Sequence, residues 1–385
     1  MKPNVLGDLS IKDFLANYWQ KKPLVIRNAF PDFEMPFTAE ELAGLTLETD
    51  APARMIIEHG LAPENKPWQV KLAPFEDSDF TTLPDSHCTF LVNDLERYIP
   101  ELGNLIEPFR FIPDWRIDDL MVSYAEDQGT VGPHTDDYDV FLIQGEGKRR
   151  WKVITREDYP KALIPDLPIA LLSEFDADEE WLLEPGDMLY LPPNMPHYGI
   201  AEGACFTFSV GFQAPRTVDL VQSWLETFTK NDQFAKRFTD AERQVQENPG
   251  EITAADLSKL SSLMLNSIEE QKVDINLFLG KYLTESKGEI PPENHDIISG
   301  YHEQNDYERE SWLRLAYIEN NNENSLDFFA DGHHVKLPKE YLKDVQELCE
   351  NYYYSSESLK NLMKNSQFSQ LFERMIQEGG FYPAS

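Results

Sequence analysis

Apolar side chains at Ile11, Phe14, Leu15, Tyr18 and Trp19 recur at helical spacing, and the stretch 23–27 that follows reads as a strand. From about residue 117 to 215 the pattern changes. Segments 119–123, 134–143, 149–154, 188–191 and 206–212 are short, rich in β-branched and aromatic residues, and bounded by Gly, Pro or Asp, which predicts a run of strands. After Ala214-Pro215-Arg216 a helical period returns, with Val221, Trp224, Leu225 and Phe228 at i, i+3, i+4 and i+7 behind the candidate N-cap Thr217. Two more helices are expected beyond the Asn248-Pro249-Gly250 break. One is capped by Thr253 and carries Leu257, Leu260, Met264 and Ile268; the other lies around 275–283. Three short amphipathic helices cannot build a large core alone, so they should pack on the strands or on a second subunit. Beyond Pro291-Pro292, segments 313–318, 326–330 and 334–337 read as strands, Asp331-Gly332 supplies a hairpin signal, and helices follow from about 339.

This punctuation divides the chain into 1–216, 217–290 and 291–385. A length of 385 residues also exceeds the usual single domain of ~100–200. The fold class is mainly β with α.

The net charge of −34, from 34 basic and 68 acidic residues, changes the picture of partners. Such a field repels nucleic acid and gathers cationic proteins, although acidity of this kind also arises from solubility or from adaptation to cold or salt. The acidic run 174–180 reads as solvated loop. Cys88, Cys205 and Cys349 are widely spaced and odd in number, which argues for reduced thiols, buried or half-buried. Residues 1–11 are already mixed polar and no apolar run approaches the ~18 residues of a membrane span, so a soluble, cytoplasmic protein is expected.

The chemistry is concentrated at His134-Thr135-Asp136 and, 63 positions on (197 − 134), at His197 in Pro192-Pro193-Asn194-Met195-Pro196-His197. Two imidazoles and a carboxylate can cover one face of an octahedral ion and leave the other open, as in non-haem Fe(II) oxygenases. On a strand, His134, Asp136 and Tyr138 would project together, with Thr135 and Asp137 on the other side. The third ligand has its own frame: Glu184-Pro185-Gly186-Asp187 as a turn, Met188 to Leu191 as a short strand, and Pro192-Pro193 as a break. The competing reading is a set of histidines that never converge; among eight His this is the only H-x-D. Parity also places Asp119, Met121 and Ser123 on one strand face, opposite the apolar Leu120 and Val122. That holds if Asp118, which shares the parity of Leu120, lies at the strand's entrance.

The stretches 111–123, 132–145 and 147–151, preceded by Tyr18-Trp19-Gln20-Lys21-Lys22-Pro23-Leu24-Val25-Ile26-Arg27 and followed by Phe208-Ser209-Val210-Gly211-Phe212, resemble the bacterial JmjC-type ribosomal oxygenases, the YcfD/RoxA-like arginyl hydroxylases. The resemblance covers essentially the whole chain and is weakest after about 217. It implies a JmjC, cupin-like double-stranded β-helix, a helical dimerisation region and a winged-helix-like C-terminal α+β unit. It also implies Fe(II), 2-oxoglutarate and O₂, with His134, Asp136 and His197 as metal ligands.

By the same resemblance Ser123 and Arg149 hold the distal carboxylate of 2-oxoglutarate, a role that suits the planar fork of an arginine. Lys148 and Arg150 have the opposite parity and should face outward. Asp119, Met121 and Tyr138 match residues around a substrate arginine, the carboxylate orienting its guanidinium and the other two holding its stem. The implied reaction hydroxylates the β-carbon of an arginine in large-subunit ribosomal protein sixteen, releasing succinate and CO₂. A basic ribosomal partner, a homodimer and no direct nucleic-acid or membrane contact complete the expectation. Two alternatives stay open: a JmjC oxygenase acting on another side chain or demethylating lysine, and a non-catalytic cupin-like binding protein.

Overall fold

The computed structural model describes residues 5–58, 68–229, 237–243, 245, 250–270, 275–286 and 300–384. The breaks expected at Asn248-Pro249 and Pro291-Pro292, and the side chains of Phe228 and Ile268, lie outside the described residues. Among the described residues, eleven strands precede the helical region: β1 Leu24–Ile26, β2 Ala53–Glu58, β3 Trp68–Leu72, β4 Cys88–Val92, β5 Ile117–Ala125, β6 Asp139–Gln144, β7 Lys148–Val153, β8 Glu179–Leu183, β9 Met188–Leu191, β10 His197–Glu202 and β11 Cys205–Phe212. Eight form one sheet in the order β1-β9-β6-β11-β5-β4-β2-β3, and β10-β7-β8 form a second, all paired antiparallel.

Each strand of the large sheet sorts its side chains by parity. Leu120, Val122, Phe141, Ile143, Met188, Tyr190, Phe206, Phe208, Val210 and Phe212 face a core that also holds Phe14 and Phe109 from the N-terminal segments. The other face turns toward the small sheet, where Val140, Leu142, Leu189 and Leu191 meet Trp151, Val153 and Leu183. The two sheets therefore enclose an interior that is apolar at one end and, as described below, polar at the other.

The N-terminal helix Ile11–Asn17 forms as its spacing predicts, capped by Ser10, with Phe14 fully buried. The turn before β9 also forms: Asp187 N donates to Glu184 O at 2.9 Å, and Asp187 Oδ1 accepts from Asn28 N at 2.9 Å. Gly186 is required there, because its φ is +86° and a Cβ would lie 2.4 Å from the carbonyl oxygen of Phe30.

Three expectations need correction. The strand expected at 134–143 begins only at Asp139; His134 makes a single antiparallel bridge to His197, and the chain bends at Asp137 and Tyr138. The run 174–180 is not simply loop, since Glu179 and Glu180 open β8 and Asp178 pairs with Arg156. Thr217 is the first residue of the helix Thr217–Thr229 rather than its cap.

The helices Thr217–Thr229, Ala254–Glu270 and Ile275–Thr284 follow, the second capped by Thr253 Oγ1 accepting from Asp256 N at 3.2 Å. The third packs on the C-terminal unit: a Cβ on Gly280 would lie 2.3 Å from the ring of Phe329. That unit is α+β, with strands β12 Tyr307–Arg309, β13 Leu315–Asn320, β14 Ser325–Ala330, β15 His333–Pro338, β16 Tyr353–Tyr354 and β17 Phe381–Pro383, and helices Leu342–Glu350 and Ser366–Gln377. The β14–β15 hairpin turns through Asp331 and Gly332, both at positive φ. Its core, from Tyr307 to Phe381, is separate from that of the first unit. Charged side chains join the two: Arg110 is paired with Asp114 and donates to the carbonyls of Cys349 and Glu350, while Arg309 stacks on Tyr352 and reaches Asp114.

Candidate active site

The turn into β6 and the start of β10 bring the three expected ligands together. His134 and His197 exchange backbone hydrogen bonds of 3.0 and 2.9 Å, and Asn194 N donates to Asp136 O at 2.6 Å, which ties both loops to one register. Asp136 lies 3.8 Å from His134 Nε2 through Oδ1 and 3.5 Å from His197 Nε2 through Oδ2. One ligand atom from each residue lies within 4.8 Å of the others, the only such His/Cys/Asp/Glu group among the described residues.

The imidazoles are prepared as ligands from behind. His134 Nδ1 lies 2.9 Å from Gly132 O and His197 Nδ1 2.9 Å from Met195 O, so each Nδ1 carries the proton and each Nε2 presents its lone pair to the common centre. Burial, with the neighbouring His134, pushes His197 down to about 4, which keeps it neutral at physiological pH. Two imidazoles and one carboxylate on one side, with open space on the other, fit a divalent iron centre.

Behind the triad, β7 aims Arg149 inward. Its side chain is almost wholly buried, Nη1 donates to Ser123 Oγ at 3.3 Å, and Nε and Nη2 have no protein partner. A buried guanidinium with unused donors fits the carboxylate of a small ligand. Arg150 points outward instead, to Glu180 and Glu202, and Lys148 to Glu184, as their parity predicts. Trp151 stands beside His197 with ring centroids 5.8 Å apart, and Gly199 leaves room for it, since a Cβ there would lie 2.7 Å from the indole.

On the other flank, Asp119 Oδ2 accepts from Asn93 Nδ2 at 3.1 Å and from Asp94 N at 3.4 Å. Burial pushes this carboxyl up to about 6 despite the Asn93 hydrogen bond, with Asp94 and Asp118 adding to the rise. Parity places it, with Met121 and Ser123 facing the cavity as expected, but the condition set on Asp118 is met differently. The β5–β11 register shifts between Val210 and Phe212, so Gly211 opposes both Asp118 and Asp119, and Ile117 and Leu120 both reach the core. Asp118 is accommodated by this bulge rather than by ending the strand.

His134, Asp136, His197, Ser123, Arg149, Asp119, Met121 and Tyr138 all line one cavity. Asn93, Trp151, Thr207 and Ser209 line it too and were not anticipated. The alternation of Thr207, Ser209 and Gly211 with Phe206, Phe208 and Val210 is a readable signal for the β11 pair; Asn93 follows a strand, β4, that carries no clear pattern.

Residues 104–220 match the JmjC domain. Across 97% of this chain and 98% of its own length, the ribosomal protein uL16 3-hydroxylase of Escherichia coli (strain K12) is 31% identical. An X-ray structure of E. coli ycfD covers 98% of this chain and 99% of its own with a TM-score of 0.80 at 28% identity. YcfD, a ribosomal oxygenase from E. coli, in complex with cobalt and 2-oxoglutarate gives a TM-score of 0.77 at 29% identity over 98% of this chain and 99% of its own.

Proposed function

Because the chain belongs to the JmjC family of ribosomal oxygenases, we propose that it hydroxylates the β-carbon of an arginine in ribosomal protein uL16. It is a 2-oxoglutarate-dependent oxygenase that takes Fe(II), 2-oxoglutarate and O₂. The observation that carries the arginine reading is the convergence of the triad, the unused donors of Arg149 and the Asp119 carboxylate on a single cavity.

When bound, the iron and 2-oxoglutarate supply the oxidising chemistry that converts C–H to C–OH, with succinate and CO₂ released. The chain's contribution is placement. His134, Asp136 and His197 hold the metal on one side; Arg149 with Ser123 fixes the far carboxylate of 2-oxoglutarate. Asp119, held by Asn93, orients the substrate guanidinium, and Met121 and Tyr138 flank its methylene stem. Tyr138 is 38% exposed, which suits a residue at the rim where a peptide enters. The net charge of −34 draws a basic ribosomal protein and disfavours direct nucleic-acid contact.

The same reading assigns 1–216 to catalysis, 217–290 to dimerisation and 291–385 to a winged-helix-like unit. Supporting the dimer, Val221, Leu257, Leu260, Met264 and Leu265 are exposed along the first two helices, an apolar surface that a second copy would cover. No helix among the described residues is long and apolar enough to cross a membrane. A ribosomal substrate places the work in the cytoplasm.

The test is mass spectrometry of a uL16 peptide incubated with enzyme, Fe(II) and 2-oxoglutarate. A gain of one oxygen on arginine is expected, along with a much weaker reaction when that arginine is lysine, whose ammonium lacks the fork geometry. Equal use of lysine, or demethylation of a methyl-lysine peptide instead, would replace the arginine reading.

A further inference from the structure

The bulge that carries Asp119 is held from outside its own sheet. Leu120 N, on the side where β4 does not reach, donates to Glu96 Oε2 at 3.0 Å. Arg314, just ahead of β13 in the C-terminal unit, donates through Nε to Ile117 O and through Nη2 to Asp118 O, each at 3.2 Å, and through Nη1 to Ser311 O. Ser311 Oγ, also from that unit, donates to Glu96 O at 3.3 Å. Arg314 and Glu96 are 7% and 1% exposed. A bulge leaves backbone groups without ladder partners, and buried groups of that kind need other partners to keep one conformation.

We propose that Arg314 is a positioning residue for the substrate arginine: by clamping the carbonyls of Ile117 and Asp118 it fixes the bulge and so aims Asp119 into the cavity. The C-terminal unit thereby takes part in substrate selection without touching substrate. A guanidinium suits the task because its rigid fork spans three carbonyls at once, which a lysine ammonium on a flexible stem cannot do in the same geometry. Asp119 itself receives only two hydrogen bonds at its Oδ2, so the backbone beneath it decides where Oδ1 points.

The inference rests on Asp119 being the guanidinium's partner, and a double-mutant cycle on the Fe(II)-loaded, full-length enzyme separates the two. Arg314→Met, Asp119→Ala and the double variant are assayed with the uL16 peptide, measuring kcat/KM for peptide and KM for 2-oxoglutarate. Arg314→Met is expected to lower peptide kcat/KM about ten- to a hundredfold, the scale of a small misplacement, with KM for 2-oxoglutarate changed less than about twofold. Arg314→Lys should recover part of the loss, and the double variant should be no worse than Asp119→Ala.

Multiplying losses, an unchanged peptide kcat/KM in Arg314→Met, or a parallel rise in KM for 2-oxoglutarate would overturn the positioning role. An Asp119→Ala enzyme with normal peptide kcat/KM would instead bring down the arginine reading and this inference with it. Should Arg314→Met not fold, the same cycle run with Arg314→Lys separates these outcomes by the same criteria.

Discussion

Arg149 Nη1 reaches Ser123 Oγ at 3.3 Å across the interior, tying β7 of the small sheet to β5 of the large one. Nε and Nη2 of Arg149 are buried without a hydrogen-bond partner, so Ser123 and the nearby Trp151 ring offset the cost of desolvating this guanidinium only in part and an arriving carboxylate supplies the rest. Arg149→Ala should raise KM for 2-oxoglutarate by about one to two decades, the worth of a charge-assisted pair of ~1.5–3 kcal/mol, with metal affinity unchanged. Arg150→Ala removes only partly exposed ion pairs and should shift it less than about twofold. Steady-state kinetics on both variants checks this, and a sensitive Arg150 with an indifferent Arg149 would reverse the assignment.

His134→Ala, Asp136→Ala and His197→Ala should each abolish turnover and sharply weaken Fe(II) binding while the protein stays folded. The backbone bridge between His134 and His197 does not depend on their side chains. Circular dichroism with metal titration reads both; near-normal turnover in any one variant would remove that residue from the ligand set.

Asp119, pushed up to about 6, works in opposite senses for capture and for stability. Capture of a guanidinium needs the carboxylate, so kcat/KM for the peptide should fall by up to about tenfold per unit below pH 6. Stability runs the other way. A carboxyl raised by folding contributes stability that is full below the ordinary carboxylate range and lost as pH rises through about 6, and Glu96, raised by burial to about 7, adds to the same trend. Asp119→Asn should abolish the acid limb of the peptide profile at a low plateau; an acid limb of unchanged midpoint and slope in that variant would assign it to another group.

Asp114 has the opposite sign. Burial pushes its carboxyl up, but the Arg110 hydrogen bonds and the Arg309 and Arg110 charges more than offset this and hold it below the usual range. Its contribution to stability is present above the ordinary carboxylate range and is lost as pH falls through the depressed folded value. Asp114→Ala leaves Arg110 with Glu107 and the carbonyls of Cys349 and Glu350 but takes from the buried Arg309 its ion-pair partner, and should cost about 3 kcal/mol in urea unfolding near neutrality. A loss under about 1 kcal/mol would show that the junction tolerates Arg309 without its carboxylate.

Leu257→Glu with Leu260→Glu places charges in the exposed apolar stripe of the helix Ala254–Glu270. Light scattering of the wild type should give a dimer mass, and the variant should fall to 44.5 kDa. A wild-type enzyme already at that mass at micromolar concentration would count against the dimer.

Much of this protein was decided locally and could be read locally. Period-two alternation in β5 grouped Asp119, Met121 and Ser123, and in β7 it set Arg149 opposite Lys148 and Arg150, because a strand's two faces follow from covalent geometry; which face of β7 turns inward came from the resemblance. The turn at Glu184-Pro185-Gly186-Asp187 and the hairpin at Asp331-Gly332 were set by backbone preferences of their own residues. The resemblance to ribosomal oxygenases rested on motifs of the same short range.

What the chain alone left open depends on partners far away in sequence. The segment carrying His134, Asp136 and Tyr138 is not a strand, and its side chains converge because one bridge to His197, 63 residues on (197 − 134), fixes the loop. The bulge under Asp119 is invisible to periodicity, since it arises from the register against Gly211 and from the grip of Arg314, 195 residues away (314 − 119). Strands β2, β3 and β4 escaped notice because sheet pairing, rather than their own pattern, makes them strands. Side-chain direction is a property of the local backbone, whereas the meeting of two directions in one cavity is a property of the packed sheets, and only the tertiary structure holds that information.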